Sequence, residues 1–336
     1  MRTRHLVALV AIGAIAFAEA TVLHTVDIHV PADTPSIATV TGKAEPGASQ
    51  PPKTYDVAPL LRPAKKYLGV TVDGGVNTPA IDSFAKQIGK KPNLVAVFES
   101  FNDGFAASEV RKVYEYGGLA MIRWEPKGVP MADLAAGKYD QYVVTFAKAV
   151  RKLNLPIALT FGHEMNGNWY TWGTKSTTPA QFVAAWRHVH DIFVAQQATN
   201  VLWTWTPNVV TYLKQVKLAP LYPGDDYVDW LGLDGYYSQH GPKTYTDLFA
   251  PTIAEVRAIT KKPILIVETG MEPGTARPGQ IENLLTSVAD SADVIGCAYF
   301  NLNATKDWKL DDSASQRAFA KQAGADVFGF DVGTIK

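Results

Sequence analysis

The chain has 336 residues, its 32 lysines and arginines balance 32 aspartates and glutamates, and 47% of its side chains are apolar. That size and composition suit one large globular domain or two small ones with a sizeable core. Zero net charge excludes the basic field by which binders of nucleic acid or anionic membranes draw their partners, so a neutral or locally recognised ligand is expected.

The first 20 residues combine Arg2 and Arg4, an apolar stretch from Leu6 to Ala18, and Ala18-Glu19-Ala20, a small-residue cleavage pattern. They read as a secretory signal peptide, because the apolar stretch is shorter than the ~20 residues a membrane-spanning helix needs. A secreted, extracellular protein with no membrane attachment after cleavage is expected. Residues 21–59 are rich in Pro, Thr, Ala, Ser and Gly with no sustained period and read as a linker, which leaves 60–331 as a single folded domain. Cys297 is the single cysteine, so no intramolecular disulfide forms, and its place in the run VIGCAYF makes it a small buried hydrophobe.

Eight apolar runs follow, at 67–72, 94–98, 119–124, 157–161, 201–205, 228–233, 264–267 and 294–299. They do not alternate apolar with polar, which is the pattern of parallel strands covered on both faces. Helical segments separate them. Thr78-Pro79 and Thr178-Pro179 each pair an N-cap residue with a proline suited to a first helical turn. Phe182, Trp186, Val189 and Phe193 form one apolar helical stripe, and Tyr142, Phe146, Ala149, Val150 and Leu153 form another. Eight strand–helix alternations over about 250 residues predict an α/β fold, the (β/α)8 barrel, in one domain. The competing open doubly wound sheet usually carries a GxGxxG phosphate loop, and none is present.

In such a barrel the active site lies at the carboxyl ends of the strands. The residues there are Asp73, Glu99, Trp124-Glu125-Pro126, His163-Glu164, Asn208, Asp234 with Tyr236, Glu268, and Asn301 with Asn303. Charges gathered at one rim of nearly uncharged strands point to function. Carboxylates beside tryptophans suit glycoside hydrolysis, with the indoles offering flat apolar faces to sugar rings, although core packing is the ordinary role of any single tryptophan. Zinc-protease chemistry would need a histidine at Gly167, and no G-x-S-x-G elbow is present. No metal and no cofactor is expected.

The strings "GLAMIRWEPKG", "GHEMNGNWYTWG", "AAWRHVHDIFVAQQATNVLWTWTPN", "YPGDDYVDWLGLDGYY", "KPILIVETG" and "AYFNLNATKDWKL" resemble, in order, the motifs of glycoside hydrolase family 26, which includes endo-β-mannanases and mixed-linkage β-glucanases. The resemblance implies that Glu164 is the general acid/base and Glu268 the nucleophile of a retaining double displacement. It implies that His163 and Tyr236 contact the sugar or the nucleophile, and that Trp308 stacks on a sugar. Trp124, Glu125, Trp169, Trp172 and Asn208 complete the expected substrate contacts. Residue spacing alone does not separate Glu164 and Glu268 from Glu99 or Glu125.

Many mannanases of the family carry a second tryptophan in the stretch occupied here by 169–172, and an arginine where this chain has Lys309. Lysine does not reproduce arginine's rigid donor fork. The expected partner is therefore a polysaccharide or oligosaccharide, first a β-1,4-mannan and alternatively a mixed-linkage β-glucan, cleaved by a monomer. A non-catalytic carbohydrate-binding barrel is the alternative from another class.

Overall fold

The computed structural model describes residues 54–304 and 306–335. The expected signal peptide and most of the expected linker lie outside the described residues. The described part of the barrel domain includes residues before 60 and after 331. Helix α1 (Ala58–Leu61) buries Leu60, which accepts a 3.0 Å hydrogen bond from the Tyr67 hydroxyl, and Val332 is buried near the other end.

Eight parallel strands close into a barrel in chain order. They are β1 (Tyr67–Thr71), β2 (Leu94–Ser100), β3 (Leu119–Glu125), β4 (Ile157–Phe161), β5 (Val201–Trp205), β6 (Trp230–Tyr237), β7 (Ile264–Met271) and β8 (Val294–Phe300). Between them lie α2 (Thr78–Ile88), α3 (Ala107–Glu115), α4 (Met131–Ala135), α5 (Asp140–Leu153), α6 (Pro179–Ala195), α7 (Tyr245–Arg257) and α8 (Arg277–Asp290), and α9 (Ser313–Ala323) follows β8.

The strands read as apolar throughout because both faces are covered. Leu119 and Met121 of β3 pack inside the barrel with Leu94, Ala158, Leu202, Trp230 and Leu265, whereas Ala120, Ile122 and Trp124 pack outward among the helices. Tyr67 and Trp230 meet edge to face at 5.3 Å within the inner cluster. Above them the inward positions turn polar, with Arg123, Thr160, Thr206, Asp234 and Glu268 all buried.

Two strands run further than their apolar runs predict: β6 continues through Asp234 and Tyr236 to Tyr237, and β7 through Glu268 to Met271. A register shift lies between them. Leu233 pairs with Ile266, but Asp234 pairs with Glu268, so Val267 is an extra residue in β7. Strict alternation from the inward Leu265 and Val267 would turn Glu268 toward the helices; the bulge re-aims it into the mouth.

The helix starts differ in one respect. Thr178 caps α6 as expected, in a reciprocal capping box with Gln181, but the cap of α2 is Asn77, which places Thr78 inside the helix. The buried stripe of α6 is the expected one, while that of α5 is rotated to Val143, Phe146, Ala147 and Val150, leaving Tyr142, Ala149 and Leu153 half-buried. Cys297 is buried, and burial pushes its thiol up to about 12, which makes it inert. Because Thr178 satisfies an otherwise orphaned first-turn amide, Thr178→Ala should lower stability by about 1 kcal/mol in urea unfolding. An unchanged midpoint would show that the cap contributes nothing.

Candidate active site

The polar layer at the carboxyl end of the barrel is built around one buried cation. Arg123 is fully enclosed and forms a two-pronged ion pair with Asp234, its Nη1 donating to Oδ1 at 3.2 Å and its Nη2 to Oδ2. The same Nη1 lies 3.5 Å from Oε2 of Glu268. Burial alone would lower the guanidinium's pKa, but the Asp234 and Glu268 carboxylates outweigh it and raise the pKa above its ordinary value. Glu268 takes a short hydrogen bond on Oε1 from the Tyr236 hydroxyl, while its Oε2 is buried with no hydrogen-bond donor.

Glu164 stands just past β4 on a turn begun by Gly162, with both residues in the left-handed region, at φ 53° and 56°. Among the described residues the other non-glycines with positive φ, Asn154 and Gln197, end or follow helices; Glu164 does not. Such a backbone costs about 1–3 kcal/mol and persists where the surroundings fix it. Here the Glu164 amide donates to the Thr206 carbonyl at 2.7 Å. Both carboxyl oxygens are held, Oε1 by Nδ2 of Asn208 at 2.6 Å and Oε2 by Nε1 of Trp169 at 2.7 Å. Asn208 is itself locked by Asn166, whose side chain accepts from its amide at 2.9 Å and donates to its carbonyl at 2.8 Å. Gly167 leaves room for the indole of Trp169, since a Cβ there would lie 2.4 Å from the ring.

Burial and then the nearby Glu268 charge push Glu164 up to about 7, against the opposing pull of Asn208, Arg123 and Trp169. A carboxyl balanced there both gives and takes a proton near neutrality. His163 is buried, and burial first, then Arg123 and Lys127, drive its pKa well down, so the ring is neutral. Its Nε2 lies 3.1 Å from the Tyr170 hydroxyl. Glu125 also faces the mouth and pairs with Lys127 at 2.7 Å; burial raises its pKa.

The structure thus brings together Glu164, Glu268, His163, Tyr236, Asn208, Trp169 and Glu125. It corrects two expected contacts. Trp124 points outward from β3 and stacks on Phe146 with centroids 4.2 Å apart, since its neighbour Arg123 takes the inward position. Trp172 is buried, stacks on Tyr170 at 4.3 Å, and donates to the His163 carbonyl at 2.7 Å, so it braces the turn. Trp308 lies at the mouth, 4.5 Å from the Tyr236 ring, but is fully enclosed with its indole N–H unpartnered. Glu99 is separated from the carboxyls of the mouth. It faces away from the barrel axis, near Ala106, Asp103 and Glu109, and burial raises it to about 8. Lys309 crosses the rim to Asp73 at 2.9 Å. Arg123 and Asn166 were not singled out by sequence. A charge inside the run "LAMIRW" was the available signal for Arg123; none distinguished Asn166.

Among the described residues no group of three or more His, Cys, Asp and Glu side chains is arranged to hold a metal ion. If the Glu268 charge raises Glu164 and the Asn208 amide lowers it, carboxyl titration by carbon-13 NMR will show the Glu164 midpoint falling below about 7 in Glu268→Gln and rising in Asn208→Ala. Unmoved midpoints would contradict this electrostatic coupling.

The profile of Glycosyl hydrolase family 26 matches residues 133–312. Endoglucanase H of Acetivibrio thermocellus is 31% identical over 272 residues, which cover 76% of this chain and 30% of that protein. Mannan endo-1,4-beta-mannosidase A and B of Caldalkalibacillus mannanilyticus is 29% identical over 133 residues, covering 38% of this chain and 24% of that protein. The chain therefore spans less than a third of the length of either relative. The catalytic domain of the Bacillus sp. JAMB-750 GH26 endo-beta-1,4-mannanase superposes with a TM-score of 0.64 at 17% identity, over 81% of this chain and 88% of that one, and shares the fold.

Proposed function

The chain belongs to glycosyl hydrolase family 26, and from that premise we propose that it is a secreted, retaining glycoside hydrolase that cleaves β-1,4-mannan. The observation that carries the reading is the contrast between two glutamates at one barrel mouth. Glu164 is raised to about 7 and has both oxygens held by donors, whereas Glu268 lies beside a permanent cation with one oxygen free of hydrogen bonds.

In the first step Oε2 of Glu268 attacks the anomeric carbon while Glu164 passes its proton to the departing glycosidic oxygen, which leaves a glycosyl ester on Glu268. Tyr236 holds the other oxygen of Glu268 and so orients the attack. Forming the ester removes the negative charge that raised Glu164, so its pKa falls. Glu164 then takes a proton from water, the hydroxide oxygen bonds to the anomeric carbon, and the ester breaks to regenerate Glu268. Trp169, partly exposed above Glu164, offers its ring to the sugar, and His163, Asn208 and Glu125 line the site as neutral or acidic hydrogen-bonding groups. Secretion is supported by the Arg2/Arg4, apolar and Ala18-Glu19-Ala20 pattern of the N-terminus.

A β-glucan is the second reading, favoured by the longer match to Endoglucanase H than to the mannosidase and by Lys309, which is committed to Asp73 at the rim. Incubation with β-mannan, mixed-linkage β-glucan and xylan, followed by product analysis, separates these substrates. Glu164→Ala and Glu268→Ala should each lose about a hundredfold or more of the turnover, and proton NMR should show the β-anomer as the first product. Near wild-type turnover in either variant would refute the assignment, and an α-anomer first product would refute retention.

A further inference from the structure

Beyond the reacting pair, the β6–α7 and β7–α8 loops enclose a cavity of about 320 Å³ lined by Tyr237, Ser238, Lys243, Glu272, Thr275 and Gln280, among others. Its size falls at the lower end of small-molecule sites, about 300–1,000 Å³. We propose that this cavity is an accessory carbohydrate site that holds a glycosyl unit of the polysaccharide outside the catalytic mouth; the inference rests on the hydrolase reading for the identity of the polymer.

Gln280, in the first turn of α8, is only 6% exposed, yet no described residue hydrogen-bonds its side-chain amide. The amide therefore opens onto the cavity, whose wall it forms, and is left for water or a ligand to complete. The helix adds to this, because α8 begins without a side-chain cap, at Ala276 and Arg277 on the cavity wall.

The charges around the cavity select the ligand class. Glu272 is held by Lys306 and by the Gln239 amide, Arg277 is occupied by the Asp311 carboxylate at 3.1 Å and by the Lys309 carbonyl at 2.8 Å, and Lys243 donates to the Ser238 carbonyl at 3.0 Å. An anion would meet the Glu272 carboxylate, and a cation would meet Lys243 and Arg277. A neutral polyhydroxyl ring, which donates and accepts at every edge, matches a wall of amide, hydroxyl and carboxylate groups. Placement fits as well. Glu272 follows Glu268 by four residues, about 13 Å at 3.3 Å per residue, so the cavity lies on the same rim as the chemistry without overlapping it.

The test is affinity electrophoresis of the full chain through gels containing β-mannan or mixed-linkage β-glucan, in a Glu268→Gln background so that the glycan is not digested. Gln280→Leu should weaken retention about fivefold, the loss expected of one net hydrogen bond, and Thr275→Trp, which fills the cavity from an exposed position, should weaken it at least as much. Retention equal to the parent in both variants, or no retention of the parent in either gel, overturns the accessory site. Reducing-sugar release by the unmodified protein is scored separately. Hydrolysis with unaltered retention sinks only the accessory site, and weakened retention with no hydrolysis sinks only the catalytic reading.

Discussion

The ion pair between Arg123 and Asp234, fully enclosed at the top of the barrel core, is the constraint on which the rest of the site depends. A lone guanidinium there would cost several kcal/mol in lost hydration, so it is tolerable only because Asp234 meets it with two oxygens and Glu268 adds a third nearby charge. That requirement ties β3 to β6 and β7 at one level. The tie extends further, because the Asp234 carbonyl accepts the Val209 amide at 2.8 Å, and the adjacent Asn208 reaches Glu164. One polar network thus sets the positions of both glutamates, although they lie far apart in sequence and on opposite sides of the mouth.

The same network gives the two carboxyls different characters. Glu268 shares a cation and a phenol, whereas Glu164 faces only neutral donors, the Asn208 amide and the Trp169 indole, within a buried site that also feels the Glu268 charge. Under the proposed mechanism these surroundings fit one glutamate to carry the proton and the other to attack the sugar. The strained backbone at Glu164 and the extra residue before Glu268 in β7 are the local devices that aim them.

The barrel was legible in the sequence because every strand is covered on both faces, which leaves eight apolar runs with little polar interruption. The strand ends were not. Asp234, Tyr236 and Glu268 resemble loop residues because they interrupt apolar runs, yet they lie within β6 and β7, where inward polar groups pair with one another. Parity explains the error at Trp124: Leu119 and Met121 face inward, so Arg123 does too and Trp124 must face the helices. The choice of Glu164 and Glu268 over Glu99 and Glu125 came from the family resemblance. Structure supplies the physical reason for Glu99, which faces away from the mouth, but Glu125 shares the mouth and differs by its pairing with Lys127. The β7 bulge had no signature in a single sequence, because one extra valine in ILIVETG is indistinguishable from a continuous strand.

The most direct test of the division between the two glutamates is to trap the glycosyl-enzyme with an activated 2-deoxy-2-fluoro-β-mannoside or β-glucoside and map the modified peptide by mass spectrometry. The account predicts a single adduct on Glu268, formed also by Glu164→Ala because the activated leaving group needs no proton. An adduct on Glu164, Glu125 or Glu99 instead would contradict it.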